Sequence, residues 1–203
     1  MLDAAPPRVR EYADQAVAYV QRALGIKLEY DSDTLPVLDH YLRTVPADQP
    51  AALKLVIATS GAYFGEVIRR RLGGRWEAGG DEAEWRVVLP TGIHFSPAGC
   101  VAAAIARSDL DDFDSEIGAP PRMLPYVQQA LARMGEVSVD DYYSLCGRLD
   151  TLEHVHEVLV AVAAQMMGAD PDGEGDDDGD VGRDVVSDTT LDPLVDDPSG
   201  PVN

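Results

Sequence analysis

Hydrophobic positions in the first half of the chain recur with a helical period and then switch to strict alternation. Residues 7–24 and 31–45 carry an apolar residue every three or four positions, which predicts two amphipathic helices, the second capped within residues 31–33. Residues 50–72 are apolar nearly all round, and a helix of that kind is buried in the interior of a protein. We therefore expect this central helix to organise the fold.

The central helix is not expected to cross a membrane. Its uncharged run, from Lys54 to Glu66, holds about a dozen residues, whereas a span needs ~20. Gly73 and Gly74 follow three arginines and are expected to end the helix with a left-handed cap. The sequence thus predicts a core helix in a protein that does not bind membranes.

The alternation after Gly74 predicts a three-stranded antiparallel meander. Its expected apolar face consists of Trp76, Trp85, Val87, Ile93 and Phe95. A sheet this small is not stable alone, so it should pack against the central helix. The predicted fold class is α+β, mostly helical, with a buried central helix on a small sheet and further helices towards the C-terminus.

Four more helices are predicted from residue types that start helices. Their expected extents are 97–107, from about 121 onward, 138–146 and 150–167, with a polar connection over 108–122. Asp150 with Glu153 is expected to cap the last of them. Residues 1–167 are therefore interpreted as one domain.

Residues 168–203 differ sharply in composition from the rest. They hold 12 acids, one arginine and no aromatic residue, so an acidic disordered tail is predicted. The tail has two short apolar segments, called the apolar islands below. They are either a docking peptide that becomes ordered on binding or a spacer without a binding role. Their residues are Val185, Val186, Leu191, Leu194 and Val195.

The charge of the chain disfavours one class of function. The net charge is −20, and residues 1–167 alone carry 24 acids against 15 basic residues. Direct nucleic-acid binding by phosphate neutralisation is therefore not expected. Cys100 and Cys146 match no metal or redox spacing, and the N-terminus has no secretory signal, which together predict a cytoplasmic protein.

Gly61 and Gly65 lie on one face of the central helix, in line with Ala58, Ile68 and Leu72. Glycine inside a helix costs about 1 kcal/mol relative to alanine, so two of them need a physical reason. Close approach of another backbone is the interpretation we favour. The alternative is that the glycines leave room for a ligand.

A polar cluster follows on the same helix, formed by Tyr63, Glu66, Arg69 and Arg70. Glu66 and Arg70 have the favourable i,i+4 spacing of an ion pair. One interpretation is a structural ion pair at the end of a buried helix, because an unpaired buried charge is costly. The other is a set of polar groups that serves a cleft between the helix and the sheet.

Two spaced motifs stand within residues 28–107, one of the form Y-D-x-x-x-L-x-x-L-D and one of the form G-A-Y-x-G-E-x-x-R-R…G-G-x-W. Their residues here are Tyr30, Asp31, Leu35, Leu38 and Asp39, then Gly61, Ala62, Tyr63, Gly65, Glu66, Arg69, Arg70, Gly73, Gly74 and Trp76, with a hairpin and Ser96–Pro97 after them. On these residues the segment resembles a bacterial domain family of unknown function. The resemblance implies a fold and supplies neither an activity nor a catalytic residue.

No catalytic set stands out. Ser60 does not lie in a nucleophile elbow, and Glu153 with His156 has the spacing of only half of a di-metal carboxylate site. His94 alternates away from the apolar face of the sheet and is expected to be exposed. The sequence therefore indicates no catalytic residue, no metal site and no cofactor.

These observations favour a non-enzymatic protein-interaction domain, adaptor or regulatory, whose partner is another protein. A first alternative is an enzyme or small-ligand binder that uses Glu66, Tyr63 and an arginine in a cleft. A second is an acidic decoy for a basic nucleic-acid-binding partner. The oligomeric state and the partner do not follow from the sequence.

Overall fold

The computed structural model describes residues 4–46 and 48–168, which belong to one compact unit, Met1–Ala169. The α-helices of these residues are α1 (Pro7–Leu24), α2 (Leu35–Leu42), α3 (Pro50–Leu72), α4 (Pro97–Ala106), α5 (Leu124–Arg133), α6 (Val139–Tyr143) and α7 (Leu145–Gly168). The strands are β1 (Arg75–Glu77), β2 (Arg86–Val88) and β3 (His94–Phe95). Short 3-10 helices cover Ser32–Thr34 and Glu82–Glu84. The α+β class predicted from the sequence is confirmed.

The central helix, α3, forms the middle of the core, with every residue from Ile57 to Arg69 buried. Helices α1 and α4 pack against it, and Gly73 ends it in the left-handed conformation with a φ of 76°. By length and composition α3 could cross a membrane, which the argument from its uncharged run did not anticipate. However, 67% of its most apolar window is buried inside the fold, as in the core helix of a soluble domain.

The two glycines of α3 admit close neighbours. A Cβ atom on Gly61 would lie 2.9 Å from the Ala98 backbone at the start of α4. One on Gly65 would collide with the Trp76 ring and come within 2.8 Å of the Pro97 side chain. Close approach of another backbone is therefore confirmed at Gly61, whereas at Gly65 the space is filled by the side chains of Trp76 and Pro97.

The sheet has the predicted meander topology, with β2 between antiparallel neighbours β1 and β3. Trp76 is opposite Val87, which is in turn opposite Phe95. Four residues of the predicted face are buried, namely Trp85, Val87, Ile93 and Phe95, while Trp76 is partly buried. His94 is exposed, as predicted.

The start of the last helix was predicted wrongly. Helix α7 begins at Leu145 and not at Asp150, because its first N–H groups are capped by Asp39 of α2 and by Ser144, which directly precedes the helix. The buried carboxylate of Asp39 accepts from the N–H of Leu145 at 2.8 Å and from that of Cys146 at 3.2 Å. The hydroxyl of Ser144 accepts from the next N–H, that of Gly147. A cap supplied by α2 cannot be read from the sequence around residue 145.

The connection over 108–122 is more ordered than a solvated linker. Gly118 exchanges backbone hydrogen bonds with His94, at 2.9 Å and 2.8 Å, and thereby extends the edge of the sheet. The backbone of Asp114 lies against Gly99 of α4, and Ser115 is buried. This segment forms one wall of the cavity described below.

Candidate functional site

The cluster predicted on α3 is an interior ion-pair network. Glu66, only 2% exposed, accepts from Arg69 Nε and Nη2, both at 2.8 Å, in a bidentate pair. Its carboxylate also accepts from Arg70 Nε at 2.7 Å and from Trp76 Nε1 at 3.1 Å. Each carboxylate oxygen therefore receives two donors, which is the full satisfaction that a buried charge requires.

The electrostatics of Glu66 follow from this arrangement. Burial alone would raise the pKa of the Glu66 carboxyl, but the hydrogen bonds from Arg69, Arg70 and Trp76 outweigh it and lower the pKa. The carboxylate is consequently charged at neutral pH and fixed in one orientation.

Tyr63 belongs to the same interior region but does not bond to Glu66. Its hydroxyl, fully buried, accepts from the N–H of Tyr30 at 3.0 Å and lies 2.8 Å from the hydroxyl of Thr34. Tyr30 connects the two parts, because its ring lies 4.9 Å from the Tyr63 ring and 4.4 Å from the Arg70 guanidinium. The polar atoms of Tyr63 and Glu66 are thus engaged with protein partners.

Other residues singled out in the sequence are spread over the molecule. The apolar islands of the tail, from Val185 to Val195, lie outside the described residues. His156 bonds to Thr91 at 3.1 Å, and burial lowers its pKa. Within residues 4–46 and 48–168, no three histidine, cysteine or acidic side chains come together as a metal site would require.

A large cavity lies elsewhere, between the 109–117 segment, the end of α5, α6 and the first turns of α7. Its volume is about 810 Å³, within the range of about 300–1,000 Å³ that is typical of ligand sites. Its apolar lining consists of Leu110, Phe113, Ile117, Leu131, Met134 and Val137. Its acidic lining consists of Asp109, Asp114, Glu116, Asp141 and Asp150, and its one cation is Arg148. We call this cavity the Arg148 pocket.

Arg148 is the unusual member of the lining. It is only 7% exposed, yet its Nε and Nη2 atoms have no hydrogen-bond partner among the residues that the structure describes. Its guanidinium carbon lies 4.6 Å from the centre of the half-exposed Tyr142 ring, a cation–π contact. A buried guanidinium whose N–H groups lack hydrogen-bond partners is rare, because buried polar groups in proteins are nearly always hydrogen-bonded.

The helix start at Leu145 determines where Arg148 points. Asp39 and Ser144 fix the first turn of α7, and Gly147 allows the backbone of Asp141 to approach closely. Arg148 follows one turn after Leu145, on the buried side of the helix.

Three of the five acids in the lining, Asp109, Asp114 and Asp141, accept from protein donors. Asp109 accepts from Ser115 at 2.9 Å and from Tyr143 at 3.2 Å. Asp114 pairs with Arg86 at 3.3 Å. No carboxylate in the described part of the chain lies within 4.0 Å of Arg148, so its charge is balanced only at longer range.

Sequence reasoning missed Arg148, although a signal was present. Leu145, Leu149, Leu152 and Val155 have the spacing of one buried helical stripe, and Arg148 falls within it. An arginine inside an apolar stripe is the pattern that should have indicated a buried charge. The helix start assigned at Asp150 concealed it.

Comparison with known proteins adds no further constraint: no family model, curated protein or solved structure matches this chain.

Proposed function

We propose that this protein is a non-enzymatic interaction domain that binds a segment of a partner protein in the Arg148 pocket. The observation that carries the proposal is the pocket itself, a cavity of about 810 Å³ whose wall holds a buried guanidinium with no partner for Nε and Nη2 among the described residues. Buried N–H groups without acceptors reduce the free energy of unfolding, unless a bound ligand supplies these acceptors. A partner segment would supply them.

The mouth of the pocket is also apolar, which supports a protein partner. Leu110, Leu131, Val137 and Tyr142 line it and are among the large hydrophobic residues that remain exposed in the described structure. Clustered exposed apolar side chains rimmed by polar groups are typical of interaction sites. Aromatic and arginine residues such as Tyr142 and Arg148 are also the types that contribute most to binding at interfaces.

The chemistry of the lining favours binding over catalysis. Ser115 donates to Asp109, and Thr151 donates to the carbonyl of Gly147 one turn earlier, so both hydroxyls are used within the protein. Burial raises the pKa of Cys100 to about 11 and that of Cys146 to about 12, which keeps both thiols protonated at neutral pH. We infer a cytoplasmic protein, since both cysteines are free.

The test is a selection of peptides from a random displayed library on the full chain. Selected peptides are then measured by calorimetry against two matched variants, Leu131→Asp in the pocket and Leu55→Asp on α3. The two leucines are 39% and 41% exposed, so both substitutions remove a similar apolar surface.

We expect Leu131→Asp to weaken binding by about tenfold or more and Leu55→Asp to leave it unchanged. Selection of no related peptides, or equal binding to both variants, would reject the proposal. Small molecules that occupy the pocket while peptides do not would favour a small-ligand function, which the cavity volume also permits.

A further inference from the structure

Resting on the proposed function, we propose that Arg148 selects the partner by binding the carboxylate of an aspartate or glutamate side chain. The bound segment would carry this acid between apolar residues and have basic residues at its flanks. Arg148 is then the specificity-determining residue of the pocket.

The first argument is the geometry of the unused donors. The Nε and Nη2 atoms form one edge of the planar guanidinium, and that edge matches the two oxygens of a carboxylate. The same chain shows the match, because Arg69 grips Glu66 through Nε and Nη2, both at 2.8 Å. In Arg148 the equivalent pair of nitrogens has no partner in the described residues.

The second argument is the charge around that edge. Five acids and one arginine line the pocket, so the cavity as a whole is negative. A partner must therefore bring positive charge to the rim while it delivers one acceptor group to Arg148. A phosphate, with nearly two negative charges, would be repelled more strongly by these acids than a carboxylate.

The third argument is access. Tyr142 lies over the Arg148 guanidinium and is itself half-exposed. Exposed side chains rotate on the nanosecond timescale, so the Tyr142 ring can move away from the guanidinium and admit a ligand beside it. The apolar side chains of Leu131, Val137 and Leu110 then contact the residues that flank the incoming acid.

The experiment uses synthetic peptides whose central residue lies between leucine pairs, with lysine or glutamate at both ends. The centre is varied among aspartate, glutamate, asparagine, glutamine and phosphoserine. Affinities are measured for the full-length wild type, Arg148→Gln and Arg148→Lys, with Leu131→Asp as the pocket control. Urea unfolding of each variant verifies that it is folded.

We expect the acid-centred, lysine-flanked peptides to bind about tenfold or more tightly than their amide counterparts. This preference should vanish in Arg148→Gln. It should be weaker in Arg148→Lys, because lysine keeps the charge and loses the two-donor edge. Glutamate-flanked peptides should bind more weakly than lysine-flanked ones.

Several outcomes would overturn the inference. Equal affinity for acid and amide, a preference that persists in Arg148→Gln, or strongest binding of phosphoserine would each reject the carboxylate role. So would the absence of binding by any of these peptides. A dimer in sedimentation that Leu131→Asp disrupts would show that a second copy of the chain occupies the pocket instead.

The two proposals fail in different ways. If peptides bind, Leu131→Asp abolishes binding, and acid and amide are equal, then the carboxylate inference is wrong and the pocket still binds a partner segment. If the library selection also returns no related peptides, the interaction function is wrong as well.

Discussion

Glu66→Gln is the substitution that most directly tests how the core of this protein is held together. The change keeps the size of the side chain and removes its charge. It leaves the buried Arg69 guanidinium without its bidentate carboxylate, whereas the half-exposed Arg70 can turn towards water. The substitution therefore measures how much the Glu66 carboxylate contributes to this buried network.

The expected magnitude follows from the burial of the pair. Removing one partner of a buried ion pair costs about 3–5 kcal/mol of the free energy of unfolding. The matched control is Glu77→Gln, whose partner Arg75 is also exposed, so that this pair contributes at most about 1 kcal/mol. With a urea dependence of about 2 kcal/mol per M, the unfolding midpoint of Glu66→Gln should fall by about 1.5–2.5 M.

The assay is urea unfolding followed by circular dichroism, repeated at several pH values. Since the folded-state pKa of Glu66 is lowered, its contribution is present above its unfolded pKa of about 4.3 and is lost as the pH falls through the folded value. The difference between wild type and Glu66→Gln should thus be largest at neutral pH and shrink in acid. A midpoint shift equal to that of Glu77→Gln, or one that does not change with pH, would refute the reasoning.

Three further predictions use the same unfolding assay. Asp39→Ala should lower the free energy of unfolding by about 2–3 kcal/mol, because it removes a cap and leaves the buried N–H of Leu145 unpaired; a loss below about 0.5 kcal/mol would contradict the capping role. Gly61→Ala should destabilise by about 1–3 kcal/mol because its Cβ meets the backbone of α4, whereas Gly79→Ala, with open space around it, should change stability by less than about 0.5 kcal/mol. Arg148→Met should stabilise the free protein by about 1–4 kcal/mol, since it removes an unpaired buried charge, and destabilisation would mean that Arg148 has an internal partner.

Helices and strands whose apolar residues recur at a regular spacing could be predicted from the sequence. Residues 50–72 read as a buried helix because nearly every position is apolar, and the alternation around Val87 gave the sheet and its buried face. The pairing of Glu66 with Arg70 followed from helical spacing alone. These features depend on residues close together in the chain.

Features that depend on distant residues could not be predicted. The start of α7 is fixed by Asp39 as well as by the adjacent Ser144, and no pattern near residue 145 reveals the acceptor on α2. The Arg148 pocket needs the 108–122 connection folded against α4, which a run of polar residues does not suggest. Tertiary contacts create the pocket itself, although the position of Arg148 in an apolar helical stripe was visible in the sequence.

The contact between Asp39 and Leu145 joins residues 106 positions apart. The backbone amide hydrogens in the first turn of a helix normally exchange with solvent when the end of the helix frays locally. Here the N–H of Leu145 is buried and bonded to a carboxylate on α2, so we expect its hydrogen exchange to be slow and to report the separation of α2 from α7. The same event would remove the Asp39 cap from the first turn of α7, so the recognition proposed for Arg148 would require the assembled fold.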